Sequence, residues 1–563
     1  MLRFSTDPSV AERQMEALIF SLTTFGYIDG DFDDAERGLI KETIRGLVER
    51  RVDTGMPDAS ADVRADLVAR FTKHFHEKFE RIDAKVEELF HEPVAKDESR
   101  DDFVHAKLKQ RCFELFQGFD QGNQEALLES VDELIRADGE LHPAELKFRA
   151  ELAALLESSL DMELLEDAAE GPRASVSAPV TVRAEADHPF FQQFEFHYSA
   201  DPAKIEKQVA ADLALVDRMI ETLEARAAAG AGRLAGAQSV ADLPRGASFL
   251  DGHTHAWMPA EGEACELTVL GDLHGCYSCL KGAVTQARFF EKVEAYKRDP
   301  ANHPNPKLVL LGDYIDRGIF SLNGVLRTVM EMATRAPDHV YVLRGNHEYY
   351  IEYKGQVYGG VKPAEAINSL KPHLPVDVFR RYMRLFDVLP NVLLFDRTLF
   401  VHGGIPRDRT LKERWQDLST FNDPDVRFQM MWSDPSAADV IPAALQEQTA
   451  RFPFGKLQFA SFMRRIGCTT LVRGHEKVEE GFRRVYDDDA GLLITLFSAG
   501  GDGNRDLPPN SSYRNVTPMG MTLHRSRDGE TTITPFTIDW ESFNDPERNA
   551  FHRAPPEIAH RVE

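Results

Sequence analysis

Cysteine and tryptophan are scarce in this chain of 563 residues, with five and four copies. The cysteines (Cys112, Cys265, Cys276, Cys279 and Cys468) fall into no regular framework. That excludes a disulfide-stapled scaffold and makes a reducing, cytoplasmic setting the expectation. No apolar run approaches the roughly 18–20 residues needed to cross a bilayer, so no membrane span is expected. Residues Met1 to Asp7 lack the basic and apolar regions of a signal peptide. A basic excess is missing too: 92 acidic residues against 66 basic ones leave a formal charge of −26. A general nucleic-acid binder needs a basic face to displace counterions, so that class is excluded. What remains is a globular composition, 42% hydrophobic and 28% charged, long enough for about two to four domains.

Residues 1–165 read as an all-helical domain and hold 37 acidic and 21 basic residues, most of the negative charge. Phe71, Phe75, Phe79, Ile82, Val86 and Phe90 recur at helical spacing and predict one apolar stripe. Two turns echo each other. Asp29-Gly30-Asp31-Phe32 precedes Glu36, and Asp138-Gly139-Glu140-Leu141 precedes Glu145. Such acidic turns fall short of a full calcium loop. Helix capping accounts for them. The arrangement resembles the tellurite-resistance TerB-like helical domain. Its separation by a linker, residues 166–187, points to a docking or regulatory module with a partner of its own. Residues 188–245 form a helical connector, in which Ile205, Val209, Leu213, Val216, Ile220 and Leu223 predict a helix packed on its own domain. A catalytic domain is expected over 246–540 and a C-terminal tail over 541–563.

The second half changes character. Short apolar runs end repeatedly in polar residues. Leu267–Leu270 leads into Gly271-Asp272-Leu273-His274-Gly275, and Leu308–Leu311 into Gly312-Asp313-Tyr314-Ile315-Asp316-Arg317-Gly318. Val340–Leu343 leads into Arg344-Gly345-Asn346-His347-Glu348, Leu399–Val401 into His402-Gly403-Gly404, and Thr470–Val472 into Arg473-Gly474-His475-Glu476. A sixth run, Leu492–Phe497, ends in Ser498-Ala499-Gly500-Gly501. Runs of this kind read as buried strands, and side chains just past strand ends gather on one rim of a sheet. Asp272, His274, Asp313, Asn346, His402 and His475 then offer mixed oxygen and nitrogen donors. They suffice for two divalent ions if one carboxylate bridges, and Asp313 is the natural bridge. No cysteine takes part, so a closed structural zinc site is excluded. The donor set suits Mn, with Fe or Zn as alternatives. Two ions about 3.5–4 Å apart can clamp an in-line displacement at phosphorus.

These blocks, with Trp432-Ser433-Asp434-Pro435, resemble the phosphoprotein phosphatase family of metal-dependent Ser/Thr phosphatases over about residues 265–525. The resemblance implies an α/β fold: a metallophosphoesterase αββα sandwich, mixed sheets flanked by helices, preceded here by the all-α domain. It implies hydrolysis of phosphate monoesters on a phosphoprotein by a hydroxide activated between two metals. By motif, Asp272 and His274 bind the first ion, Asp313 bridges, and Asn346 and His402 bind the second. The spacing leaves His475 open between Asp272 and the second ion; the family pattern favours the latter. His347 resembles the general acid and Asp316 its orienting partner. Arg317, and Arg451 before Phe452–Gly455, match the phosphate-binding arginines, whereas Arg344 and Arg473 brace loops.

The chain also departs from the family. The eukaryotic Ser-Ala-Pro-Asn-Tyr is replaced by Ser498–Asn504, with Tyr513 the nearest tyrosine. Residues 351–376 read as an insertion or remodelled loop. His253-Thr254-His255 has amidohydrolase spacing but reads as a hairpin, and Cys276 and Cys279 read as packing residues. The alternative activity is that of a dinucleoside polyphosphate or other small-molecule phosphoesterase. Asp316, Glu348 and Trp432–Pro435 favour a serine/threonine protein phosphatase, with dual specificity toward phosphotyrosine as a variant of that reading.

Overall fold

The computed structural model describes all residues except 1–3, 6, 29–31, 93, 96–97, 118, 136–142, 158–170, 185–186 and 561–563. The Asp-Gly pairs of both acidic turns lie outside the described residues. The chain forms two compact units: residues 1–161 with 436–449, and residues 162–435 with 450–563.

In the first unit the described residues form α1 (Pro8–Ile28), α2 (Asp34–Gly55), α3 (Ala61–Leu89), α4 (Arg100–Gln117), α5 (Gln121–Ile135) and α6 (Pro143–Glu157). Leu18, Ile19, Leu22 and Phe25 of α1 pack with Phe103, Phe113 and Phe116 of α4. Phe75, Phe79 and Val86 of the predicted stripe are buried in the same core. Phe71, one turn earlier on α3, is 47% exposed. Ala438, Ile441 and Leu445 join this core although they lie inside the catalytic stretch of the sequence. Ser436 Oγ donates to Glu114 at 2.6 Å, and Lys109 Nζ to Gln448 Oε1 at 3.5 Å.

The second unit is built on two seven-stranded sheets. Six strands carry the motifs: β1 (Cys265–Leu270), β2 (Asn305–Leu310), β3 (Val340–Val342), β4 (Thr398–Val401), β5 (Thr470–Arg473) and β6 (Gly491–Leu496). In one sheet β1, β2 and β3 run parallel, and Met519–Arg525 and Thr531–Thr537 extend it antiparallel. The stretch expected as a linker adds two short strands here, Ser175–Val176 and Val180–Thr181, which pair with Thr531–Thr537. In the other sheet β4, β5 and β6 are parallel neighbours.

The period-two alternation of these strands explains the layering. Leu267 and Val269 of β1, Val309 of β2, Val472 of β5 and Ile494 of β6 share the core between the sheets. Leu308 and Leu310 face the opposite way, into a core built with flanking helices. Leu399, Val401, Leu471 and Leu493 pack against helix Lys456–Ile466 on the far side. The architecture is therefore αββα, sheet on sheet between helical layers. Helix α7 (Pro202–Gly230) buries Ile205, Val209, Val216, Ile220 and Leu223 within its own unit. Asp212 on α7 holds the buried Arg327 through two bonds of 2.7 and 2.8 Å.

Candidate active site

The ends of β1 to β6 converge, and the turns that follow them hold their side chains by force of backbone. Among the described residues eight non-glycines have positive φ, and five of them are predicted site residues: His274, Asp313, Asp316, Arg317 and His475. Such conformations are unfavourable by about 1–3 kcal/mol each and persist only where surroundings over-determine them. Glycine is required for close approach to two of the ligand carboxylates. A Cβ on Gly345 would collide with Asp313 Oδ1, and one on Gly474 with Asp272 Oδ1.

All six predicted metal ligands come together, buried. His274 Nε2 lies 3.5 Å from Asp313 Oδ2 and 3.7 Å from Asp272 Oδ2. On the other side of Asp313, His402 Nε2 lies 3.4 Å from its Oδ1. Asn346 Oδ1 is 2.9 Å from both His402 Nε2 and His475 Nδ1. His475 thus clusters with Asp313 and His402, the side the family pattern favours, while its backbone N–H donates to Asp272 Oδ1 at 2.8 Å.

These residues fit a pair of cations. His274 and His402 each engage a backbone carbonyl through Nδ1, Ile315 O and Leu311 O at 3.0 Å. That arrangement fixes the tautomer and leaves Nε2 as donor to a metal. Asp272 Oδ2, 3.7 Å from His274 Nε2, is buried with no hydrogen-bond partner, which is unfavourable in a protein interior unless something else occupies it. Burial pushes the Asp272 and Asp313 carboxyls up to about 7; cations between them would reverse that shift. The His274 and His475 imidazoles are pushed well down by burial, so they are neutral donors.

The chemistry-bearing residues flank this cluster. His347 Nδ1 lies 2.8 Å from Asp316 Oδ2, and its backbone N–H donates to Asp313 Oδ1 at 3.0 Å. Its ring centre is 4.8 Å from that of His274. Arg317 Nη2 is buried without a geometric hydrogen-bond partner. Arg451 Nε donates to Asp434 Oδ2 at 2.6 Å. Arg473 and Arg344 act as braces, as expected. Arg473 bonds Asp434 Oδ1 at 2.8 Å and Gly403 O, and Arg344 bonds Glu348 O at 2.9 Å.

Three supporting residues were not assigned roles from sequence. Glu348 accepts from the backbone N–H groups of Asp313, Tyr314 and Gly345 at 2.8–3.0 Å, tying one motif to the next. Its place in Arg344–Glu348 was the signal. Asp434 joins Arg451 to Arg473, and the Trp432–Pro435 block was its signal. Glu365, in the remodelled stretch, contacts Arg317 and had no signal. Tyr513 reaches the site from its shifted position, with its ring 5.2 Å from His274. His253 and His255 do not join the cluster. His253 lies in the turn of the hairpin formed by Ser248–Asp251 and Thr254–Trp257, and His255 lies within the second of these strands, paired with Leu250. Cys276 and Cys279 are buried and free.

Oxygen and imidazole donors gathered at the strand ends of an αββα sandwich, with a His–Asp pair and two arginines beside them, define a metallophosphoesterase. The calcineurin-like phosphoesterase family model matches residues 266–479. The chain is 30% identical over 255 residues to the serine/threonine-protein phosphatase 6 catalytic subunit of Caenorhabditis elegans, covering 44% of this chain and 66% of that one. It is 27% identical over 252 residues to the serine/threonine-protein phosphatase 4 catalytic subunit of Eremothecium gossypii, covering 44% of this chain and 70% of that one. The chain thus spans about two thirds of the length of these relatives. A solved serine/threonine phosphatase from Saccharomyces cerevisiae superimposes with a TM-score of 0.37 at 18% identity, over 59% of this chain and 90% of that one. This chain belongs to the phosphoprotein phosphatase group of the calcineurin-like phosphoesterases. No helix among the described residues is long and apolar enough to cross a membrane.

Proposed function

We propose that this chain hydrolyses phosphate monoesters on phosphoserine and phosphothreonine residues of a protein substrate. Two divalent ions, Mn²⁺ by donor chemistry with Fe or Zn as alternatives, are held by Asp272, His274, Asp313, Asn346, His402 and His475. Bound there, such ions supply Lewis-acid charge beside phosphorus and lower the pKa of the attacking water. The remaining work belongs to the chain. Arg317 and Arg451 take the equatorial phosphoryl oxygens, for which the planar guanidinium fork is suited. Asp316 fixes His347 through Nδ1, so that Nε2 is free to give a proton to the departing alkoxide. Burial, and then Arg317, hold His347 well below the ordinary histidine range. A dianionic phosphate entering beside it raises its proton affinity when the proton is needed. Monoester hydrolysis demands accelerations up to ~10²¹-fold, which explains so dense a convergence of cationic groups.

The observation that carries the reading is the buried His347–Asp316 pair at 2.8 Å beside the donor cluster. It supports alkoxide departure, the difficult step for serine and threonine esters. The residues that separate this reading from a dinucleoside polyphosphatase also have work in the site: Asp316 on His347, Glu348 on the Asp313 loop, Asp434 on Arg451. The test is Mn²⁺-dependent turnover of phosphoserine and phosphothreonine peptides against diadenosine tetraphosphate. Peptide turnover exceeding nucleotide turnover is expected; the reverse order overturns the proposal in favour of a small-molecule phosphoesterase.

A further inference from the structure

Residues 351–376, which departed from the family pattern, fold into a hairpin of Tyr350–Tyr353 with Gln356–Gly359 and then the short helix Glu365–Leu370. Where that helix begins, two groups turn back on the catalytic loop after β2. The backbone N–H of Ala366 donates to Asp316 Oδ1 at 2.9 Å. Arg317 Nη1 donates to Glu365 Oε1 at 2.8 Å and to Pro363 O at 3.4 Å, and the backbone N–H of Arg317 donates to Glu365 Oε2 at 3.4 Å. Glu365 is 3% exposed. One guanidinium nitrogen is thereby tied down, while Nη2 is buried without a geometric hydrogen-bond partner and the Tyr513 hydroxyl lies beside the guanidinium as a further neighbour. Arg317 also acts electrostatically on His274, Asp313 and His347, so its charge lies within reach of the cluster.

We propose that Glu365 is a positioning residue for phosphate recognition: its carboxylate locks Arg317 through Nη1 and the backbone, presenting Nη2 to a phosphoryl oxygen. The inference rests on the phosphatase reading above and extends it to a residue outside the family motifs. A guanidinium on a long, free side chain loses rotamer entropy each time it binds, and one already locked does not. The buried carboxylate also pairs the charge of Arg317 while the cleft is empty, when an unpaired buried cation would be strongly unfavourable.

The experiment uses the full chain loaded with Mn²⁺, as wild type, Glu365→Gln, Glu365→Ala, Arg317→Ala and the Arg317→Ala/Glu365→Ala double variant. Inorganic phosphate is the probe, its Kd read by calorimetry, alongside KM and kcat on a phosphoserine peptide. Glu365→Ala is expected to weaken phosphate binding about tenfold, the size of a hydrogen bond to a charged group, and to raise KM with it. Metal content stays at the wild-type value. Glu365→Gln, whose amide oxygen still accepts from Nη1, recovers most of the loss. In the Arg317→Ala background Glu365→Ala changes phosphate affinity no further, because its effect runs through the arginine. Unchanged phosphate affinity in Glu365→Ala, or an equal loss with and without Arg317, would overturn the proposal. If the alanine variant fails to fold, Glu365→Gln carries the comparison: a rise in Kd of about threefold supports the proposal and no rise contradicts it. Phosphate binding that shifts as expected in a wild type inert toward phosphopeptides would refute the phosphatase reading and leave the Glu365 assignment standing.

Discussion

Single residues explain why this site is assembled from strained turns. Asp313 has a left-handed backbone, yet its carboxylate lies between His274 and His402, and Glu348 secures the N–H groups of its loop. His347 is placed by two bonds, one to Asp313 through the backbone and one to Asp316 through the ring. Replacing His347 by Ala should leave metal content intact and lower kcat on a phosphoserine peptide about 10²–10⁴-fold, the range of general acid catalysis. Turnover of an aryl phosphate, whose leaving group needs little protonation, should fall far less. Equal losses on both substrates would remove His347 as the acid. Most of these residues were legible in the sequence because each follows an apolar run within a few positions, so strand ends and chemistry are read together. Glu365 was not, because it meets Arg317 across 48 positions of chain and sits in no repeated pattern. His475 could be placed only by its motif; the structure adds the 2.9 Å approach to Asn346.

At the scale of elements, strand alternation made the sandwich predictable, whereas the origin of the segment between Asp434 and Arg451 was not. Ala438, Ile441 and Leu445 are spaced by three and four like any short amphipathic stretch, and spacing says nothing about which core receives them. They enter the helical core of residues 1–161. Leu445 is 3% exposed, so Leu445→Ala should destabilise that unit by about 2–4 kcal/mol through lost burial and a residual cavity. Urea unfolding followed by protease cleavage within residues 1–161 reads this directly: a lower midpoint is expected, and an unchanged one would mean the segment contributes nothing to that core. The expected linker likewise turned out to supply strands, since its Val176 and Val180 have an edge strand, Thr531–Thr537, to pair with.

The whole molecule carries −26, and that figure guided poorly toward the substrate. The negative charge is concentrated in the helical region, while the site sets arginines and cation donors against an anionic phosphate. Two histidines away from the donor cluster, His255 buried and His253 half-buried, contribute to its response to acid. Burial, reinforced by Arg226, pushes His255 down to about 3, and burial with Arg427 pushes His253 down to about 4. Below pH 6.5 the unfolded chain takes up protons that the folded chain refuses, so stability falls as pH drops from 6.5 toward those values. At pH 5 His255 alone should lower stability by about 2 kcal/mol relative to pH 7. Urea midpoints of the metal-free chain at the two pH values should differ less in His255→Phe than in wild type; identical differences would contradict the assignment.

The central claim is a two-ion centre bridged by Asp313 that supports phosphomonoester hydrolysis. Its most direct test is Mn²⁺ titration of the metal-stripped full chain, with bound metal and phosphoserine-peptide turnover measured on the same samples. Wild type should bind two ions per chain and gain activity as the second binds, whereas Asp313→Asn should lose tight binding of both and its turnover together. Saturation at a single ion, or an Asp313→Asn variant that keeps wild-type turnover, would contradict the account.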